Sequence, residues 1–299
     1  MAAPGGEMQL SVVIPTRDRA RFVDVALASV LASPLIKEPT QIIVVDDDSH
    51  DETASVVRER GCRYLHVNNH NIGRTRNDGF ALVQSPYVAF LDSDDAWLPG
   101  NMEPQLAALE SHPGAAFAYG IARCAKEDLE PLPWTFPNPP LVSGVAPERF
   151  HLGYANLGVV LFRREAVLDI GGFSTRILYH QDADLMIRIA ARREIVGVDF
   201  VGMLHRIRDP SRARANYYWG NRLVKNWWPR GVGAKTAAKF MIKTRSLYFD
   251  RFIEDTAACV ACGQKKDALV CLTRAVRVSP GHAIRHPRRI ARLLFRSLQ

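Results

Sequence analysis

The chain has 299 residues, is 47% hydrophobic and carries a formal net charge of +8. Its length is near the upper limit of a single hydrophobic core, so one large domain with a smaller appendage is expected. No apolar run approaches the roughly 18 uncharged residues needed to span a bilayer, and Met1 to Met8 has neither a basic nor an apolar leader, so a cytoplasmic protein is expected. Five cysteines, thinly spread, fit a reducing compartment better than a disulfide framework.

The charge is uneven along the chain. Residues 1–200 carry 18 basic against 26 acidic side chains, and residues 201–299 carry 21 against 5. An acidic first part suits a metal site. A basic last part suits anionic partners such as a phosphate, a membrane surface or nucleic acid.

Gln9 to Ile14 is a β-branched run closed by Pro15 and reads as a buried first strand, with Thr16 to Arg21 as the loop at its carboxyl end. Phe22 to Leu31 suits a helix packed on that strand. Gln41 to Val45 is a second buried strand that runs into Asp46-Asp47-Asp48, and Asp51-Glu52-Thr53 opens the next helix. A third strand is expected at Cys62 to Val67, then a polar loop over 68–74, then a helix over Thr75 to Leu82. Tyr87 to Leu91 is a fourth strand, and it drives Asp92, Asp94 and Asp95 off its end. Carboxylates this close raise one another's pKa unless a cation holds them, so a divalent metal is expected there.

Strands and helices alternating at roughly 20 to 30 residues indicate a doubly wound sheet, in which ligands bind outside the carboxyl ends of the strands. Pro15-Thr16, Asp46 to Asp48 and Asp92 to Asp95 all fall at such ends. Further on, Asn101 to Glu110 reads as a helix and Ala115 to Ile121 as a strand. Glu130 to Pro147 is proline-rich and reads as a loop over a site. Leu157 to Phe162 reads as a strand, Arg164 to Asp169 as a short helix, Asp182 to Ala191 as a helix and Ile195 to Val201 as a last strand. Beyond residue 205 the composition changes. Tyr217 to Arg230 interleaves aromatics with cations, and Lys235 to Val278 reads as helical.

In order, Val12-Val-Ile-Pro-Thr-Arg-Asp-Arg19, Val44-Val-Asp-Asp-Asp-Ser-His-Asp-Glu-Thr53, Asn71-Ile-Gly-Arg-Thr-Arg-Asn-Asp-Gly79, Phe90-Leu-Asp-Ser-Asp-Asp95, Gly171-Gly-Phe173 and Gln181-Asp-Ala-Asp-Leu185 resemble the motifs of family 2 inverting glycosyltransferases. The resemblance covers about residues 9–205. It implies an α/β fold of GT-A type, a Rossmann-like, mainly parallel sheet flanked by helices with a helical C-terminal extension. Residues 1–205 would form the nucleotide-sugar-binding and catalytic domain, and 206–299 a basic helical region for acceptor, membrane or oligomer contacts.

The resemblance also implies roles. Asp47 would accept the N3 proton of a uracil-like base edge, with Pro15, Thr16, Arg17 and Arg76 around the nucleotide and Asp92 and Ser93 toward the ribose. Asp94 and Asp95 would hold Mn²⁺ or Mg²⁺, and His205, just after the last strand, stands where a third metal ligand would sit. Asp182 would be the general base. Two departures are visible: Asp48 stands where glycine is usual, and Gln181 where glutamate precedes the base.

The chemistry agrees with these roles. A nucleoside diphosphate leaves once its charge is neutralised, and one base on the opposite face of the sugar deprotonates the acceptor hydroxyl. The donor would be a nucleotide sugar, UDP-linked by preference, and the acceptor a glycan, a lipid-linked sugar or a small molecule. A sugar nucleotidyltransferase is the rival enzyme, but its Gly-rich, Lys-bearing loop has no counterpart in Pro15 to Arg19. A non-catalytic nucleotide-sugar-binding module is the rival from another class.

Each residue also has a plainer reading. Asp46 to Asp48 would cap a helix, Asp182 would be a first-turn dipole acid, Trp97 would be core and His180 an exposed loop histidine. Cys259 and Cys262 read as buried small residues rather than a zinc site. Few aromatics accompany the cations of Lys265 to Arg296, which weighs against nucleic acid. Tyr217 to Arg230 leaves three readings open, peripheral membrane association at the inner face, contact with a lipid-linked acceptor, and a solvated helical face with its aromatics inward. A homodimer is also left open.

Overall fold

A computed structural model describes residues 9–136, 141, 143–144, 155–176, 181–207 and 280–298, with isolated positions between 253 and 276. Its contacts divide the chain into two compact units, Met1–Leu223 and Val224–Gln299. Tyr217 to Arg230, His180, Cys259, Cys262 and most of the helices expected over 235–278 lie outside the described residues.

The first unit begins with strand β1 (Leu10–Thr16), helix α1 (Ala20–Leu31), β2 (Ile42–Asp47), α2 (Thr53–Glu59), β3 (Arg63–Val67), α3 (Ile72–Ala81) and β4 (Tyr87–Phe90). It continues with β5 (Ala96–Trp97), α4 (Glu103–Ser111), β6 (Ala115–Ala125), β7 (Pro131–Phe136), β8 (Val160–Arg163), α5 (Arg164–Leu168), α6 (Gln181–Ala190) and β9 (Glu194–Arg206). All seven residues of β1 are buried, because β1 lies between β2 and β4 with helices on its faces. Each buried Val or Ile there contributes about 1.5–3 kcal/mol relative to exposure.

The sheet runs β3-β2-β1-β4-β8-β6-β9-β5, with β7 on β6. Strands β1 to β4 pair in parallel as the alternating pattern predicts. The other half is mixed: β8 is antiparallel to both β4 and β6, whereas β9 is parallel to β6. A buried apolar run looks the same in either direction, so only tertiary pairing decides it.

Four local readings are corrected. Helix α3 starts at Ile72 rather than Thr75, because the Asn71 side chain accepts a 3.0 Å bond from the Arg74 amide and caps it. Leu157–Val159 is a 3-10 turn, held by Asn156 accepting from the Gly158 amide, so the strand there begins at Val160. Residues 131–136 of the proline-rich stretch are strand β7 rather than loop. β7 pairs with β6 alone, and a sheet edge tolerates proline. The last strand, expected over Ile195 to Val201, runs on to Arg206, and its Met203 and Leu204 pair with Trp97 and Ala96 of β5.

Gly79 shows how closely α3 lies on the sheet. A Cβ at this position would come within 2.5 Å of Val13 Cγ1 and 2.7 Å of Val45 Cγ2. Both valines are fully buried and β-branched, so neither side chain can swing away. Gly79→Ala is expected to lower stability by about 1–3 kcal/mol despite the gain in helix propensity of about 0.5–1 kcal/mol. A lowered urea midpoint checks it; an unchanged or raised midpoint would mean that α3 can lift off β1 and β2.

Candidate active site

The carboxyl ends of β1, β2 and β4 carry the expected residues, but they do not all face a ligand. Pro15 is buried in β1 and Arg17 is exposed beyond it, beside His70. Thr16 is buried, and its Oγ1 has no hydrogen-bond partner among the described residues. Asp46 is a structural acid: it accepts from the Ser49 amide at 3.0 Å and from the Tyr64 hydroxyl at 2.6 Å. Burial and that bond push the Tyr64 hydroxyl up to about 12. Asp48, standing where glycine is usual, adopts a positive φ of 65°, which Asp tolerates better than most residues. The turn geometry is therefore kept without glycine.

Asp47 is 8% exposed and anchors the segment before α3. Its Oδ1 accepts from the amides of Asn69 at 2.6 Å and His70 at 3.0 Å, and its Oδ2 from Thr75 Oγ1 at 3.1 Å. These bonds fill three of the carboxylate's about four acceptor positions.

In the acid cluster after β4, each carboxylate meets a cation of the protein itself. Arg76 Nη2 donates to Asp92 Oδ1 at 2.6 Å from inside the core, where its guanidinium also lies over the Phe173 ring. Burial opposes ionisation of Asp92, but Arg76 outweighs it and holds the carboxyl below its ordinary range. Arg19 Nη1 donates to Asp94 Oδ1 at 3.1 Å and to Ser93 Oγ at 3.4 Å. Ser93 is fully buried, so its hydroxyl meets Arg19 rather than a ligand.

Asp95 is only 1% exposed, and both its oxygens are engaged. Oδ2 lies 3.0 Å from His205 Nδ1, and Oδ1 accepts from the Arg206 amide at 2.9 Å. Asp95 thus stands behind His205 rather than beside Asp94 as an outward ligand. The β5–β9 pairing does this, since Ala96 faces Leu204 and the next residue on each strand is Asp95 and His205. Burial disfavours the charged ring, but Asp95, its hydrogen bond and the nearby Asp92 and Asp94 raise His205 to about 9.

Asp182 lies in the first turn of α6 and is partly exposed. The Gly172 to Thr175 segment is bolted to α3. Asn77 donates to the Phe173 carbonyl at 2.9 Å and accepts from the Phe173 amide at 2.8 Å, and Asn71 donates to the Thr175 carbonyl. Gly172 has φ 70°, and a Cβ there would lie 2.5 Å from Asn77 Oδ1. Fully buried Asp184 pairs with Arg188, which also donates to the Ile170 and Gly172 carbonyls. Gln181 is buried, and its Nε2 has no hydrogen-bond partner among the described residues.

The sequence model of glycosyl transferase family 2 matches residues 11–171, more than half of the chain and the whole of this crevice on the β1, β2 and β4 side. The chain belongs to glycosyl transferase family 2. An uncharacterized glycosyltransferase of Haemophilus influenzae is 25% identical over 188 residues, which span 60% of this chain and 61% of the relative. S. aureus TarS, solved with UDP-GlcNAc, superposes with a TM-score of 0.58 at 16% identity, covering 79% of this chain and 72% of that one. The mannosyltransferase PcManGT of Pyrobaculum calidifontis, solved with GDP-Man and Mn²⁺, gives 0.54 at 14% identity over 97% and 86%. At these identities the structures establish the fold, which is the expected GT-A type.

Against the sequence reading, Asp92, Asp94, Asp95 and His205 do gather in one place, with Arg76 at Asp92. Arg19 and Arg206 were missed. Arg19 closes the first motif, at an acid-facing strand end, and Arg206 directly follows His205, so each stands beside a residue the sequence singles out. Among the described residues no three His, Cys, Asp or Glu side chains form a metal-binding group. Trp97 is core, as read, donating to the Gly158 carbonyl at 2.9 Å. No described helix is long and apolar enough to cross a membrane.

Proposed function

We propose that the chain is a metal-dependent inverting glycosyltransferase that moves a sugar from a nucleotide-sugar donor, UDP-linked by preference, to a hydroxyl of a glycan, lipid-linked or small-molecule acceptor. The observation that carries this reading is the donor-side crevice of a family 2 chain, at the carboxyl ends of β1, β2 and β4, coupled through Asn77 to the turn that precedes Asp182. Buried hydroxyls are normally satisfied, so the unpartnered Thr16 Oγ1 at the end of β1 supports a polar ligand there.

The donor set is compatible with Mn²⁺ or Mg²⁺. Such ions take one or two protein ligands and complete their shell with phosphate and water, so a three-residue cage is not needed. Asp94 and His205 Nε2 would hold the ion, with Asp95 fixing the ring from behind through Nδ1. The metal would replace the Nε2 proton, so its binding releases a proton. An ion held there would supply positive charge to the leaving diphosphate. Asp47 would take the base edge, Asp92 the ribose, and Asp182 the acceptor proton.

Mn²⁺-dependent thermal stabilisation by a panel of nucleotide sugars tests the reading, since a ligand of the folded state raises Tm. A shift with at least one donor is expected, followed by product when acceptors are added. No shift with any nucleotide sugar would overturn it, and binding without turnover would reduce the chain to a binding module. Asp94→Asn is expected to weaken Mn²⁺-dependent donor binding roughly 10–100-fold. Unchanged donor titrations would remove Asp94 from the site.

A further inference from the structure

The last described segment contains two helices, α7 (Pro280–Arg285) and α8 (Pro287–Leu298). Pro280 to Gln299 holds five arginines and no Asp or Glu. Within it Ile284 is 78%, Phe295 63% and Leu294 41% exposed, although Leu293 beside them is buried. At 100° per residue Arg288, Arg289 and Arg292 share one side of α8, Ile290 and Leu294 share the opposite side, and Phe295 flanks the arginine side, about 20° from Arg288 and about 100° from Leu294. Arg285, His286, Pro287, Arg288 and Arg289 line a shallow hollow of about 390 Å³ at the turn between the helices.

Large apolar side chains held in water beside a purely cationic arc are the pattern of a helix that lies in a headgroup layer. We propose that residues 280–298 are an interfacial anchor for an anionic lipid bilayer. Ile284, Leu294 and Phe295 enter the acyl boundary, and Arg285, Arg288, Arg289 and Arg292 meet lipid phosphates. Charge complementarity selects this occupant. A second copy would set one arginine-rich segment against another, and like charges facing each other oppose docking. Single-stranded nucleic acid would answer the cations, but of the three exposed apolar side chains only Phe295 offers a flat ring on which a base stacks, and Ile284 and Leu294 would be left in water.

The test is flotation of the full chain, without donor or acceptor, on vesicles of roughly seven parts phosphatidylcholine to three of phosphatidylglycerol, with phosphatidylcholine alone as control. Binding to the anionic vesicles, weakened between about 0.1 and 0.5 M salt, is expected. Leu294→Ser with Phe295→Ser keeps every charge and should cut partitioning about tenfold or more; Arg288→Gln with Arg289→Gln and Arg292→Gln should do the same. Ile284→Ser, on the other helix, gives an independent reading should a double variant lose its helical circular dichroism. Absence of flotation overturns the proposal. So does undiminished binding by the apolar variants, which would place any membrane contact elsewhere in the chain. Displacement by millimolar inorganic phosphate, regardless of the apolar residues, would leave the hollow an anion site only and also overturn it. A polynucleotide bound equally by wild type and apolar variants would assign the arginines to nucleic acid instead.

Discussion

Asp182→Asn is expected to lower sugar transfer by about 10²–10⁴-fold while leaving the donor-induced rise in Tm intact. At about 1.36 kcal/mol per decade this corresponds to roughly 3–5 kcal/mol of the barrier. Asn keeps the size and hydrogen-bonding shape of Asp but cannot take a proton from an attacking hydroxyl. Asp182 has no ion-pair partner among the described residues, and the Gly172-Phe173 turn is held by Asn77 without its help. The substitution should therefore leave the helix in place. If Asp182 only complements the α6 dipole, the variant would lose about 0.3–1 kcal/mol of stability and transfer sugar at the wild-type rate. Parallel measurement of turnover and donor-dependent Tm separates the two outcomes.

Asp95→Ala is expected to be the most destabilising single change at the site, by about 1–3 kcal/mol, because it leaves the half-buried His205 ring and the Arg206 amide without their buried acceptor. Burial of an unpaired group costs far more than a surface ion pair returns, which is why Arg60–Asp24, exposed on both sides, would show almost nothing in the same assay. Chemical denaturation measures the loss. Asp95→Asn adds a functional readout: it keeps the shape, removes the charge behind His205, and should weaken Mn²⁺-dependent donor binding in a chain that still folds. Wild-type donor affinity in a folded Asp95→Asn variant would detach His205 from the metal.

The acid cluster illustrates how far a sequence reading reaches. Three carboxylates leaving one strand end need positive charge nearby, and a divalent metal is the source the sequence suggests. The structure supplies a nearer one, with Arg76 on Asp92, Arg19 on Asp94 and His205 on Asp95, whose other oxygen takes the neutral backbone amide of Arg206. These partners are separated by 16, 75 and 110 or more residues, so no local pattern could pair them. Ser93 sits within the same motif, yet the turn after β4 buries it. Motif membership does not say which side of a turn a side chain takes.

The sequence alone determined the parallel half of the sheet, because its buried β-branched runs, helix caps and turn residues act over a few neighbours. It determined the carboxyl-end position of Asp47, Asp92 and Asp94 for the same reason. Only the tertiary structure decided that β8 runs against β4 and β6, and that β9 continues to Arg206 and pairs with two-residue β5. That pairing is a long-range backbone ladder whose partners carry no shared local signal. It turns Asp95 from an outward acid into the support of His205.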